Sequence, residues 1–115
     1  GVQPNILVCR TEHPLSKDIR KKIALFCNVE PNSVIEARDA STIYEVPLLM
    51  ANEKLDEVVL KQLQLEVPKK LDLDNWKKFL KKFQSPKHTV NIGLVGKYVE
   101  LKDSYKSISE AFVHA

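Results

Sequence analysis

In the run Ser16 to Asn28, SKDIRKKIALFCN, Lys22 stands four residues before Phe26, so on a helix a cation and an aromatic ring share one edge. Such a lysine either snorkels along apolar surface or aims its ammonium at a phosphate or a base, and both readings are open from the spacing. A second set of groups follows the strand-like run Val34–Ala37: Arg38-Asp39-Ala40 stands just before a helix start, where ligands collect in open α/β sheets. Asp39 offers acceptor oxygens, and the neighbouring main chain offers both hydrogen-bond senses, which suits an adenine edge. The alternative is that Asp39 closes a turn while Ser41 or Thr42 caps the next helix, since Thr42-Ile43-Tyr44-Glu45 matches a capping box. Arg10, at the carboxyl end of the apolar run Asn5–Cys9, is either a stacking guanidinium or a rim arginine paired with an acid such as Glu12.

The elements that must position these groups follow from periodicity. Asn5–Cys9 reads as a buried strand, and a helix capped by Ser16, with Asp18 in its first turn, runs to about Asn28. Its wheel places Ile19, Ile23 and Phe26 on one apolar stripe with Cys27 at the edge. Val34–Ala37 is the next strand, and strand, helix, strand at this spacing predicts a parallel pair joined by a right-handed crossover. Thr42–Leu65 is helical in pattern, disturbed at Pro47 and broken near Asn52-Glu53. Pro68-Lys69-Lys70 marks a boundary, and Trp76, Phe79, Leu80 and Phe83 then form one face of an amphipathic helix whose other face carries Lys77, Lys78, Lys81 and Lys82. That basic face fits a solvated helix docked on its own protein, or a partner-binding or membrane-surface module. Thr89–Val95 predicts a new buried strand, followed by Gly96-Lys97-Tyr98 and a helix from Asp103 to Ala115. The spacing around Gly93 and Gly96-Lys97 fails the phosphate-loop pattern, and Tyr98 stands where that pattern needs a hydroxyl for magnesium.

Composition narrows the function classes. The 115 residues carry 43% apolar residues, enough for a modest core, and a net charge of +3 from 18 basic and 15 acidic residues that are interleaved, with no stripe for nucleic acid. No stretch is long and apolar enough to predict a membrane span, and the two cysteines lack metal or redox spacing, as in a reducing cytoplasm. No catalytic residue and no metal ligand is expected here: Cys9 and Cys27 lack a base in a known local signature, and Asp72 and Asp74 fit a helix cap. The opening Gly1-Val2-Gln3-Pro4 and the ending within a helix predict a piece of a longer protein.

The blocks RKKIALFCNV, RDASTIYEVP and NIGLVGKYVELKDSYKSISEA, in this order and spacing, closely resemble the CTP synthases, and the resemblance covers essentially the whole chain. It implies an α/β fold: a partial parallel-sheet, Rossmann-like synthetase domain at 1–67, an interdomain linker with its amphipathic helix at 68–87, and at 88–115 the first β-α unit of a class I glutamine amidotransferase domain. It implies a ligase of pyrimidine biosynthesis in which ATP phosphorylates the 4-oxygen of UTP and ammonia from glutamine displaces that phosphate, giving CTP. It further implies that magnesium assists, GTP activates, CTP inhibits, and the full-length enzyme is a cytoplasmic homotetramer. On this resemblance Lys22 contacts UTP or CTP with Phe26 near the pyrimidine. Arg38, Asp39 and Ala40 frame the ATP adenine with Arg10 beside it, and Lys97 and Tyr98 face the domain interface where GTP acts. Arg38 and Ala40 stand where relatives often carry lysine and valine. The phosphate loop, the magnesium carboxylates and the glutaminase triad fall outside these residues, so this stretch alone is expected to be inactive. The alternative is a structural or oligomerisation segment of a nucleotide-binding α/β protein.

Overall fold

In the computed structural model residues 1–69 and 71–115 are described, and Lys70 of the predicted boundary lies outside them. The fold is mixed α/β, divided into two compact units, Gly1–Leu73 and Asp74–Ala115.

The first unit is built on a parallel pair, β1 (Leu7–Thr11) and β2 (Val34–Arg38), in the register Leu7 to Val34 through Thr11 to Arg38. β1 extends through Arg10 and Thr11, beyond the predicted end at Cys9, because β2 continues beside it and the Asp39 amide donates to the Thr11 carbonyl at 3.2 Å. Val34 and Ile35 are fully buried.

Between the strands runs α1 (Lys17–Phe26), capped as expected by Ser16, whose hydroxyl accepts from the Ile19 amide at 3.2 Å. Its packed side is turned from the predicted stripe. Ala24 is buried, and Arg20, Ile23 and Cys27 are half-buried, while Ile19 is 48% and Phe26 88% exposed. The small Ala24 permits close approach of the helix to the sheet, and Arg20 faces inward because acids wait for it there.

After β2, a 3-10 turn (Ile43–Glu45) leads into α2 (Val46–Asn52) and then α3 (Leu55–Gln62). Pro47 falls in the first turn of α2, where its missing N–H costs nothing. The predicted break is realised at Lys54, which takes a left-handed conformation with φ 59°. The capping box is modified: Thr42 Oγ1 accepts from the Tyr44 amide at 3.4 Å, whereas Glu45 Oε2 accepts from the Ser41 amide at 3.1 Å and the Ser41 hydroxyl at 2.9 Å.

Arg20 ties these pieces together. Its Nη1 donates to the Val34 carbonyl at 2.6 Å and to Glu53 Oε2 at 2.7 Å, and the same carboxylate oxygen accepts from the Glu36 amide at 3.0 Å. Arg20 Nη2 lies 3.6 Å from Glu36 Oε2, which also accepts from the Leu15 amide at 2.7 Å. The Arg20–Glu53 pair thus satisfies two main-chain groups of β2 that a further strand would otherwise pair.

The second unit holds α4 (Asp74–Gln84), a 3-10 turn (Lys102–Tyr105) and α5 (Lys106–His114). As the pattern predicts, Leu80 is buried in α4, and Trp76, Phe79 and Phe83 follow one another with ring centres 5.6 and 6.4 Å apart. Phe79 also stacks on His114 of α5, at 5.8 Å with planes 4° apart. The predicted strand Thr89–Val95 is not formed, and Val90, Ile92 and Val95 are exposed. A strand exists only as a rung of a ladder, and among the described residues nothing pairs with this run. Beyond it, Gly96 has no side chain to obstruct Tyr105, whose hydroxyl donates to the Lys97 carbonyl; a Cβ on Gly96 would lie 3.0 Å from Tyr105 Cζ.

Burial alone would raise the Glu53 carboxyl pKa, but the Arg20 guanidinium and the Glu36 amide outweigh it and hold the group below 4.5. The Glu53 carboxylate in turn raises the Arg20 pKa. The folded chain therefore binds fewer protons than the unfolded one as pH falls, so this contribution is complete above the ordinary glutamate value and is lost through the lower folded value. Urea unfolding of Glu53→Gln should show a loss of about 1–3 kcal/mol at neutral pH, shrinking towards zero as the parent is acidified through that range.

Candidate functional site

The carboxyl ends of two parallel strands carry the site. Alternation along β1 puts Val8 and Arg10 on one face, and the register brings Ala37 of β2 alongside Arg10. Directly after β2, Arg38-Asp39-Ala40 turns the chain towards the 3-10 turn and α2. Together these elements enclose a hollow of about 340 Å³, lined by Val8, Arg10, Ala37, Arg38, Asp39, Ala40, Thr42, Ile43, Val46 and Met50.

The structure thus brings four of the predicted residues, Arg10, Arg38, Asp39 and Ala40, around one hollow. Arg10 Nε donates to Asp39 Oδ1 at 3.0 Å across its mouth, with the side chains 86% and 48% exposed. Arg10 therefore pairs with Asp39, not with the Glu12 considered from sequence. Arg38 Nε lies 3.2 Å from Glu36 Oε1, so its guanidinium is anchored from behind. The walls are apolar and the rim is charged, an arrangement chemically suited to a flat apolar face inside and polar groups at the rim. Sequence reasoning missed Val8, Ala37, Thr42, Ile43, Val46 and Met50 as lining residues. The signal for Val8 was present, because it stands two residues before Arg10 and so shares its face.

Lys22 and Phe26 lie on the exposed side of α1 and do not line this hollow. Lys97 and Tyr98 belong to the second unit; Tyr98 is left-handed at φ 59°, 73% exposed, and its carbonyl accepts from the Leu101 amide at 3.0 Å. Among the described residues no group of three His, Cys, Asp or Glu side chains could hold a metal ion, and no helix is long and apolar enough to cross a membrane.

The family model for the CTP synthase N-terminus matches residues 1–65. Over the whole chain, a CTP synthase from Cytophaga hutchinsonii is 65% identical, one from Flavobacterium johnsoniae 63%, and one from Methanocaldococcus jannaschii 56%. The chain spans 21% of the length of each of these relatives.

An ion pair as exposed as Arg10–Asp39 contributes little to folding. Asp39→Asn should shift the unfolding free energy by less than about 1 kcal/mol, read from the urea midpoint at unchanged slope, which leaves any larger effect on ligand binding attributable to the hollow itself.

Proposed function

The chain belongs to the CTP synthase family, and from that premise we propose that it supplies nucleotide contacts to a glutamine-hydrolysing ligase that converts UTP to CTP at the expense of ATP. The observation that carries the reading is the convergence of Arg10, Arg38, Asp39 and Ala40 on one hollow at the carboxyl ends of β1 and β2.

In this reading the adenine of ATP enters the hollow. Val8, Ile43 and Met50 exclude water from its faces, and Arg10 covers it as a stacked guanidinium. Asp39 and the main chain of Arg38 to Ala40 then meet its polar edge, the carboxylate accepting from the exocyclic amine. Departure of Arg38 and Ala40 from the lysine and valine frequent in relatives is tolerable where the backbone makes these contacts. Lys22 neutralises phosphate charge on UTP, or on CTP when it inhibits, and Phe26 flanks the pyrimidine. ATP supplies the phosphoryl group that activates the uracil 4-oxygen, and magnesium, when bound to groups outside these residues, offsets phosphate charge.

We assign residues 1–67 to the end of the synthetase domain, 68–87 to the linker and 88–115 to the start of the amidotransferase domain, where Lys97 and Tyr98 respond to GTP. The assignment extends to a cytoplasmic homotetramer using glutamine as ammonia donor. The alternative of a purely structural segment is less well supported, because it gives no reason for two arginines and an aspartate to rim an apolar hollow.

The test uses the full-length protein. Loss of one charge-assisted contact of about 1.5–3 kcal/mol weakens affinity by about 10- to 100-fold. Asp39→Ala should weaken ATP binding by that factor with UTP unaffected, and Lys22→Ala should weaken UTP and CTP binding with ATP unaffected. Normal nucleotide affinities in both variants, with only subunit assembly lost, would sink the reading and return the structural alternative.

A further inference from the structure

Away from the hollow just described, α1, the Pro31-Asn32 turn and the α2–α3 junction border a polar trough. It consists of two contiguous depressions of about 540 and 360 Å³ that share Arg20, Pro31, Asn32, Glu53 and Lys54. Lys17 and Lys21 line one end and Lys61 the other.

The charges do not balance. Arg20 is matched by Glu53 at 2.7 Å and Lys54 by Glu57 at 3.6 Å, which uses both carboxylates of the trough. Among the described residues Lys17, Lys21 and Lys61 have no carboxylate within ion-pair distance. Three unmatched ammonium groups therefore border a trough that also presents the amides of Asn32 and Asn52.

Local rules are broken at the same residues. Lys17 opens α1, so its cation sits at the positive end of the helix dipole. Lys21 stands four residues on, where like charges on one helix face repel. Lys54 holds the left-handed conformation in which asparagine or glycine costs less than lysine. Each of these costs is small, and an anion in the trough relieves the first two directly.

We propose that this trough is an anion site, separate from the adenine hollow, which takes a di- or triphosphate group through Lys17, Lys21 and Lys61, with Asn32 and Asn52 donating to its oxygens. The shared chemistry is the polyphosphate, free or carried by a nucleotide. Arg20 stays committed to Glu53 and the β2 edge and borders the site without releasing that pair.

The test is amine acylation of the native full-length protein read residue by residue by mass spectrometry, with inorganic tripolyphosphate and GTP as separate probes. At a probe concentration of twice its dissociation constant, Lys17, Lys21 and Lys61 should each react about threefold more slowly, while the exposed Lys78 and Lys87 keep their rates. Protection by tripolyphosphate alone marks a site for free polyphosphate, and protection by both marks one that accepts a nucleotide tail. Raising the salt to about 1 M, where the screening length is about 3 Å, should abolish either. In Lys17→Gln/Lys61→Gln, protection of the remaining Lys21 should demand about tenfold more probe. Equal protection of every lysine, or of none, overturns the proposal. So does a full-length protein whose Lys17, Lys21 and Lys61 resist acylation before any probe is added, since another protein segment would then fill the trough.

Discussion

A single guanidinium holds the first unit in register. Arg20 reaches from the middle of α1 to the Val34 carbonyl and the Glu53 carboxylate, and Glu53 closes the circuit on the Glu36 amide. Helix, strand and the α2–α3 junction are thereby fixed to one another through main-chain groups that cannot relocate. An exposed strand edge otherwise invites pairing with another chain, and a charged side-chain pair across it discourages that. The arrangement also explains why an arginine faces the sheet on α1 while Phe26 points away: the free edge of β2 presents both a carbonyl and an amide, and Arg20 as donor and Glu53 as acceptor answer one each.

The hollow depends on the same circuit at one remove. Glu36 is half-buried in mid-strand, accepts from the Leu15 amide, approaches Arg20, and with its other oxygen holds Arg38 at 3.2 Å. Arg38 therefore leaves the strand with its side chain already engaged, and the next residue, Asp39, is free to meet Arg10 across the mouth. An ordered rim lowers the entropy lost when a ligand is gripped. Charge on one side of β2 is thus converted into position at its end.

Much of this was legible in the sequence because it rests on short-range rules. Ser16 as cap, the parallel β1–β2 pair, the break before α3 and the aromatic face of α4 all follow from spacing and local chemistry, whereas Pro47, read as a disturbance within a helical run, stands in the first turn of α2. The grouping of Arg10 with Arg38, Asp39 and Ala40 comes from the family resemblance and not from local pattern; the parallel pair brings the four around one hollow because neighbouring strands deliver their carboxyl ends to one place. The side of α1 that packs was not legible. A wheel weighted by hydrophobicity favours Ile19 and Phe26, and it gives Arg20 no credit for a carbonyl and two acids contributed by residues 14 to 33 positions away. The acid within VIEAR was the available signal, since a carboxylate in a buried strand demands a cation nearby.

Thr89–Val95 fails for a related reason, and it sets a limit on what pattern can establish. Its β-branched and apolar residues resemble those of β2, yet one run is a strand and the other is not. The difference lies in what stands beside them. β2 has β1 at one edge and the Arg20–Glu53 pair at the other, so each hydrogen-bonding side is answered. Among the described residues nothing offers Thr89–Val95 a ladder, and side-chain preference worth at most about 1 kcal/mol per residue cannot replace one. A strand is thus a property of two partners, and a single sequence displays only one of them when the other lies elsewhere.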